Sequence, residues 1–163
     1  MKIFVVGFMG AGKSTVGRAL AARIGARFVD LDEEIEAAER TSISDIFARR
    51  GEPEFRRIES EMLRSVLSGG DAAVVALGGG AFTVPANREL LRDHGTTVWL
   101  DCPFETVQRR VAQATTRPLA RDPARFAALY AARREAYANA DVRVPIESDD
   151  AEATVDAILA VLP

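Results

Sequence analysis

A three-layer α/β/α sandwich on a central parallel sheet of about five strands is the fold class that three observations predict. Short apolar runs alternate with stretches of helical periodicity, a glycine-rich loop joins the first run to the first helix, and the 163 residues contain no Gly/Ser/Pro-rich linker. Such alternation implies βα units, because parallel strands need crossover helices between them. A chain of this length fits one domain with a substantial core, so residues 1–163 are read as a single unit.

The apolar runs lie at 2–6, 72–77, 96–101 and 141–145, with a weaker one at 27–30. The first helix is placed at about 13–25, burying Val16, Ala19, Leu20 and Ile24 and ending at Gly25. Another begins near Pro53, where Phe55, Ile58, Met62 and Val66 share an apolar face. Two further helices are expected at 103–112 and around 123–137. The least regular stretch, 112–125, holds Thr115, Thr116, Arg117, Pro118, Asp122 and Pro123 and is the candidate lid.

Composition narrows the function classes. A net charge of −3, despite 21 Lys and Arg residues, argues against a nucleic-acid binder, whose phosphate contacts normally leave a basic surplus. One cysteine, Cys102, makes no internal disulfide, and with the lone His94 it makes no ordinary His/Cys zinc site. The N-terminal apolar run is too short for a membrane span or a signal-peptide core. A soluble, cytoplasmic monomer without nucleic-acid or membrane partners is expected.

The residues from Gly7 to Ser14 complete the phosphate-loop pattern G-x-x-x-x-G-K-[ST] directly after the strand-like Ile3-Phe4-Val5-Val6. Gly10, Ala11 and Gly12 let successive backbone N–H groups curl around phosphate oxygens, Lys13 neutralises β/γ charge, and the Ser14 hydroxyl ligates Mg2+. A helix opening at Lys13, Ser14 and Thr15 adds its positive end. The chain is therefore read as a nucleoside-triphosphate user. Many phosphate-loop enzymes also hold Mg2+ through an Asp ending another strand, but Val74-Val75-Ala76-Leu77 runs into Gly78-Gly79-Gly80. Asp30 and Asp32 are the replacements. Two apart on a strand, they share a face, one toward Mg2+ and one toward a substrate hydroxyl; alternatively Asp32 caps the next helix.

The triple glycine is either a simple turn or a place where a substrate meets bare backbone. Arg56 lies at the edge of its helix's apolar face with Glu59 one turn on, a pair that either orients the guanidinium or is an ordinary surface contact. Arg57 points to solvent. On the 123–137 helix, Phe126, Leu129, Tyr130 and Tyr137 define a face that contains Arg133, with Arg134 nearer its edge. Arg56 and Arg133 can clamp a carboxylate; a structural salt bridge for Arg133 stays open. Arg117 is either a solvated loop residue or a lid cation for the transferring phosphoryl group. Arg109 and Arg110 either complement a helix C-terminus or stack on a purine. His94 and Cys102 read as structural, and Trp99 as core.

Taken together, Gly10-Ala11-Gly12-Lys13-Ser14-Thr15, Asp30-Leu31-Asp32, Phe55-Arg56-Arg57-Ile58-Glu59, Gly78-Gly79-Gly80, Arg117-Pro118-Leu119 and Arg133 through Tyr137 resemble shikimate kinase in order and spacing, over nearly the whole chain. The resemblance implies a P-loop NTPase fold of the nucleoside monophosphate kinase type, with a substrate-binding helical segment at about 31–62. It implies ATP-dependent phosphorylation of the 3-hydroxyl of shikimate, a step toward chorismate and the aromatic amino acids. In that reading Lys13 serves the phosphates, Ser14 and Asp30 the Mg2+, and Asp32 receives the hydroxyl proton. Arg56 and Arg133 grip the carboxylate, Gly78, Gly79 and Gly80 offer backbone contacts, Arg117 acts from the lid, and Arg110 with Pro118 flanks the adenine. Three positions depart from the pattern. Glu39-Arg40 replaces a common Thr-Gly after the second helix, Ala120 replaces a second lid leucine, and Glu135-Ala136 stands where Pro-Leu often precedes the tyrosine. The purine-side loop near 147–150 is acidic. A kinase of another hydroxy acid such as gluconate is the nearest rival; for a nucleotide-switched module the chain lacks the Asn-Lys-x-Asp motif of guanine recognition.

Overall fold

The computed structural model describes residues 1–113 and 122–163. Five strands form one sheet: β1 (Lys2–Val6), β2 (Arg27–Asp30), β3 (Ala73–Ala76), β4 (Gly95–Asp101) and β5 (Val142–Pro145). Their order is β2-β3-β1-β4-β5 and every pairing is parallel. Strands β1 and β3 are buried throughout, which is why they read as continuous apolar runs rather than alternating ones. The helices are α1 (Lys13–Ile24), α2 (Leu31–Glu39), α3 (Ile43–Arg50), α4 (Glu52–Ser68), α5 (Pro85–Arg92), α6 (Phe104–Gln113), α7 (Pro123–Tyr137) and α8 (Ala151–Val161). Val5 pairs with both Ala76 and Val98, and Asp30 with Ala76, so β1, β2 and β3 finish at nearly the same level while β4 runs on to Asp101.

Helix α1 ends as the sequence predicts, with Gly25 in the left-handed region (φ 68°) and its amide turned back to Ala21 and Ala22. Its buried stripe differs from the expected one: Val16, Gly17, Leu20 and Ala21 are inside, Ala19 is only partly covered, and Ile24 is 42% exposed. Gly17 explains the shift, because a Cβ there would come within 2.7 Å of the Phe28 ring and its absence draws that side of α1 inward. On α4 the core position is Leu63, with Met62 partly covered.

Strand β2 stops at Asp30, so Asp32 is a residue of α2's first turn and not a strand neighbour of Asp30. The cause is local: Asp30 Oδ1 accepts from the amides of Asp32 (3.0 Å) and Glu33 (3.2 Å), which makes Asp30, rather than Asp32, the N-cap. Helix α2 ends at Arg40, the one non-glycine residue with positive φ (55°) among those described. This is the Glu39-Arg40 departure, and it places an L-residue where glycine is unstrained.

Helix α7 is tied to the sheet mainly by aromatic and ionic contacts. Phe126 packs on Phe8 (5.4 Å) and Phe104 (5.8 Å), and the Tyr130 hydroxyl donates to the Cys102 carbonyl at 2.6 Å. Arg134, expected nearer the edge, forms a forked pair with buried Asp101 and covers Trp99 at 5.0 Å, while Arg143 donates to Asp101 at 2.7 Å from the neighbouring strand. Burial alone would raise the Asp101 carboxyl's pKa, but the two guanidinium groups outweigh it and hold the pKa below the usual range.

Two outcomes are expected. Arg40→Gly should raise the unfolding free energy by about 1 kcal/mol, read as a higher urea midpoint at unchanged slope. For Asp101 the folded carboxyl has the lower pKa, so its contribution is present above the unfolded value of about 3.9 and fades as pH falls through the folded value. Asp101→Asn should therefore flatten the acid limb of a stability–pH curve below about pH 4.

Candidate active site

The level strand ends gather the charged side chains on one edge of the sheet, where ligands of open α/β folds bind. After β1 the backbone turns through Gly7, Gly10 (φ 80°) and Gly12 (φ 91°) into the N-terminus of α1. The Lys13 ammonium donates to the carbonyls of Gly7 and Phe8, both at 2.9 Å, so it lies folded over its own loop. Ser14 Oγ donates to Asp30 Oδ2 at 2.5 Å. One Asp30 carboxylate thus serves two neighbours, its other oxygen capping α2.

A cavity of about 650 Å³ opens over this loop. Gly10, Ala11, Gly12, Lys13, Ser14 and Thr15 form its floor, Asp30 and Asp32 one wall, and Arg109, Arg110 and Asp149 its outer rim. Arg110 does more than complement a helix end: it donates to the Gly10 carbonyl (2.9 Å) and to Asp149 Oδ1 (2.6 Å), with Arg109 also reaching Asp149 at 3.3 Å. The acidic loop near 149 is thereby the ionic partner of the basic end of α6. The Asp149 carboxyl is held below its usual range, chiefly by the hydrogen bond from Arg110. Arg117 and Pro118 lie outside the described residues, as do 114–121 of the candidate lid at 112–125, whose described ends belong to α6 through Gln113 and to α7 from Pro123.

The triple glycine is a close-packing device. A Cβ on Gly78 would sit 2.7 Å from Asp32 Oδ1 and 3.2 Å from Glu59 Oε2, one on Gly79 would sit 2.9 Å from Arg133 Nη1, and one on Gly80 would collide with the Arg56 guanidinium. Each missing side chain therefore admits one or two charged groups, and the turn brings Asp32, Arg56, Glu59 and Arg133 together from α2, α4 and α7. The turn itself is fixed: Tyr137 donates to the Gly79 carbonyl (2.5 Å), Thr83 Oγ1 to that of Gly80 (2.6 Å), and the Ala81 amide to that of Gly78 (3.1 Å).

Glu59 is not the surface residue that its spacing from Arg56 allowed. It is fully buried, with Oε1 accepting from Arg56 at 2.8 Å and Oε2 without a hydrogen-bond partner in the structure. Burial is the main cause that pushes its carboxyl pKa up, Asp32 adds to the rise, and Arg56 and Arg133 oppose it. Burial likewise pushes the Tyr137 hydroxyl up, against Arg133 and Arg56. Arg57 is exposed and pairs with Glu54 and Glu61, as its position on the helix implied. The site is thus a phosphate cradle beside a carboxylate and two partly buried guanidinium groups, the layout suited to moving a phosphoryl group onto the hydroxyl of a small acid.

Sequence reasoning did not find Asp149 as the partner of Arg110, or Phe8 as the surface under Arg133, whose guanidinium carbon lies 5.6 Å from the ring centroid. The acidic composition of the 147–150 loop was a signal for the first. For the second there was none, because position 8 is one of the unspecified places of the loop pattern.

Comparison with known proteins agrees with this geometry. The family model described as shikimate kinase matches residues 9–163. A shikimate kinase of Geobacter metallireducens is 46% identical over 156 residues, covering 94% of this chain and 87% of its own length. A shikimate kinase from Acinetobacter baumannii, solved in complex with shikimate, superimposes with a TM-score of 0.91 at 36% identity, over 98% of this chain and 91% of its own. The shikimate kinase of Aquifex aeolicus gives 0.85 at 34%, over 98% and 94%. With likeness of this extent in both sequence and structure, the chain belongs to the shikimate kinase family and is an ATP-dependent small-molecule kinase.

Proposed function

We propose that the chain transfers the γ-phosphoryl group of ATP to the 3-hydroxyl of shikimate, giving shikimate 3-phosphate and ADP, as a cytoplasmic monomer. The observation that carries the acceptor reading is the convergence of Arg56, Arg133 and Asp32 on Gly78–Gly80, beside the phosphate cradle. Two guanidinium forks suit a carboxylate, and a carboxylate at the facing wall suits a hydroxyl proton. The relative that was solved with shikimate supports the same choice. Among the described residues the only exposed large hydrophobic side chains are Met1, Ile24 and Val161, which supports the monomer reading, and no described helix is long and apolar enough to cross a membrane.

In this reading the Gly10–Thr15 backbone and the Lys13 ammonium hold the phosphates, and Arg110 borders the adenine end of the cavity. Mg2+ fits the residues present: Ser14 Oγ and Asp30 Oδ2, two adjacent hard oxygen donors at the foot of the cradle, would hold it. When bound it neutralises charge on the β- and γ-oxygens. Arg56, braced by Glu59, and Arg133 orient the acid so that its hydroxyl faces Asp32, which takes the proton as the new P–O bond forms. Arg117 and Pro118 are assigned to the lid and the adenine by family resemblance alone.

An acceptor screen with ATP and Mg2+ checks the substrate: ADP release with shikimate and none with gluconate is expected, and absence of shikimate turnover would overturn the proposal. Asp32→Asn should lower kcat about 10²- to 10⁴-fold with nucleotide affinity retained, as measured by ADP release and calorimetry. Gly80→Ala displaces the Arg56 guanidinium and should raise the KM for shikimate about tenfold or more while leaving the KM for ATP within about twofold.

A further inference from the structure

The loop that cradles the phosphates also presents one side chain away from them. Phe8, in the second position of the loop, is 3% exposed and its ring is surrounded by α7: edge-on to Tyr130 at 5.2 Å, tilted against Phe126 at 5.4 Å, and beneath the Arg133 guanidinium at 5.6 Å. That last distance lies within the roughly 6 Å over which a cation is attracted to a ring face. The backbone of Phe8 belongs to the nucleotide side, since its carbonyl accepts from the Lys13 ammonium at 2.9 Å and from the Ala11 amide at 3.1 Å. One residue therefore touches both halves of the site, by its backbone on one side and its ring on the other.

We infer that Phe8 is a positioning residue for the acceptor: its ring is the platform that holds Arg133 in the plane from which the guanidinium meets the substrate carboxylate. The inference rests on the assignment of Arg133 to the acid in the proposed function. The Arg133 side chain is partly buried beside the Tyr137 hydroxyl, the Gly79 backbone and this ring, with buried Glu59 feeling its charge while making its hydrogen bond to Arg56. Adjacent Arg134, by contrast, is fixed by a forked carboxylate in Asp101. A π face restrains a guanidinium without occupying its N–H donors, a second way of bracing an arginine beside that of Arg56, which gives one N–H to Glu59. The aromatic contacts with Phe126 and Tyr130 keep that face in place.

Phe8→Leu removes the ring face and keeps an apolar side chain. The expected result is a shikimate Kd weakened about three- to tenfold and a higher KM for shikimate, with kcat and the Kd of Mg·ADP within about twofold, by calorimetry and steady-state kinetics. In the Arg133→Ala background the same substitution should weaken shikimate no further, because the platform then has nothing to hold. Three results would overturn the inference: an unchanged shikimate Kd in Phe8→Leu, an equal loss of nucleotide and shikimate affinity, or the same loss of shikimate affinity in the Arg133→Ala background. If Arg133→Ala alone leaves the shikimate Kd unchanged, it is the assignment of Arg133 that fails. Should Phe8→Leu melt below the assay temperature, Phe8→Met carries the same cycle with the same expected and overturning results.

Discussion

The register of β1 against its two neighbours is the constraint on which the site depends. Because Val5 lies level with Ala76 on one side and Val98 on the other, the phosphate loop and the glycine turn leave the sheet at one height, and β4 continues two residues past Trp99, the partner of Val6, before α6 begins. Strand β2 adds Asp30 at the same level. No side chain has to reach far: Ser14 meets Asp30, Arg110 meets the Gly10 carbonyl, and Met9 abuts Gly79 because three strands end together. A one-residue slip of β3 would exchange its faces and carry Gly78–Gly80 out of reach of Asp32 and Arg133. Packing of the buried strands thus sets the distance between the nucleotide and acceptor halves, and the Phe8 contacts act within that distance.

Charge is handled in two ways around this edge. Where a side chain is structural, it is neutralised internally, as with Arg134, Arg143 and Asp101. In the buried cluster under the glycine turn, neutralisation is left incomplete. Glu59 is the extreme case, a buried carboxylate with one oxygen on Arg56 and the other without a hydrogen-bond partner, opposed by Asp32 and relieved by two guanidinium groups. Removing one member of such a cluster leaves the others uncompensated in a poorly solvated place, so its residues act together rather than as separate contacts.

Much of this was legible in the chain because it is written in local pattern. The loop from Gly7 to Ser14, the Gly25 cap, the alternation of runs and helices and the inward sector of Arg133 all rest on spacing within one element, and the structure agrees with each. What was not legible depends on contacts between elements. Ile24 reads as core from its period, yet the approach of Gly17 to Phe28 decides which side of α1 goes in. Asp32 reads as a strand residue until Asp30 spends an oxygen on the amides ahead of it. Glu59 reads as either a brace for Arg56 or a surface partner, and Asp149 as part of an acidic loop; contacts 19 to 39 positions away, with Gly78 for one and Arg110 for the other, make the first a buried brace and the second an ionic partner.

The glycine turn has a consequence for how such a chain can diverge. Each glycine is bound to a particular charged partner by shared space, Gly78 to Asp32 and Glu59, Gly79 to Arg133, Gly80 to Arg56. A Cβ can be accepted at one of them only after its partner has withdrawn or shortened, and a partner that shortens first leaves a gap beside its glycine. Either change made alone weakens the grip on the acid, and only a matched pair restores the fit. Drift at this edge proceeds by pairs, which makes the turn and the arginines inherit one another's history although they lie more than twenty residues apart in the chain.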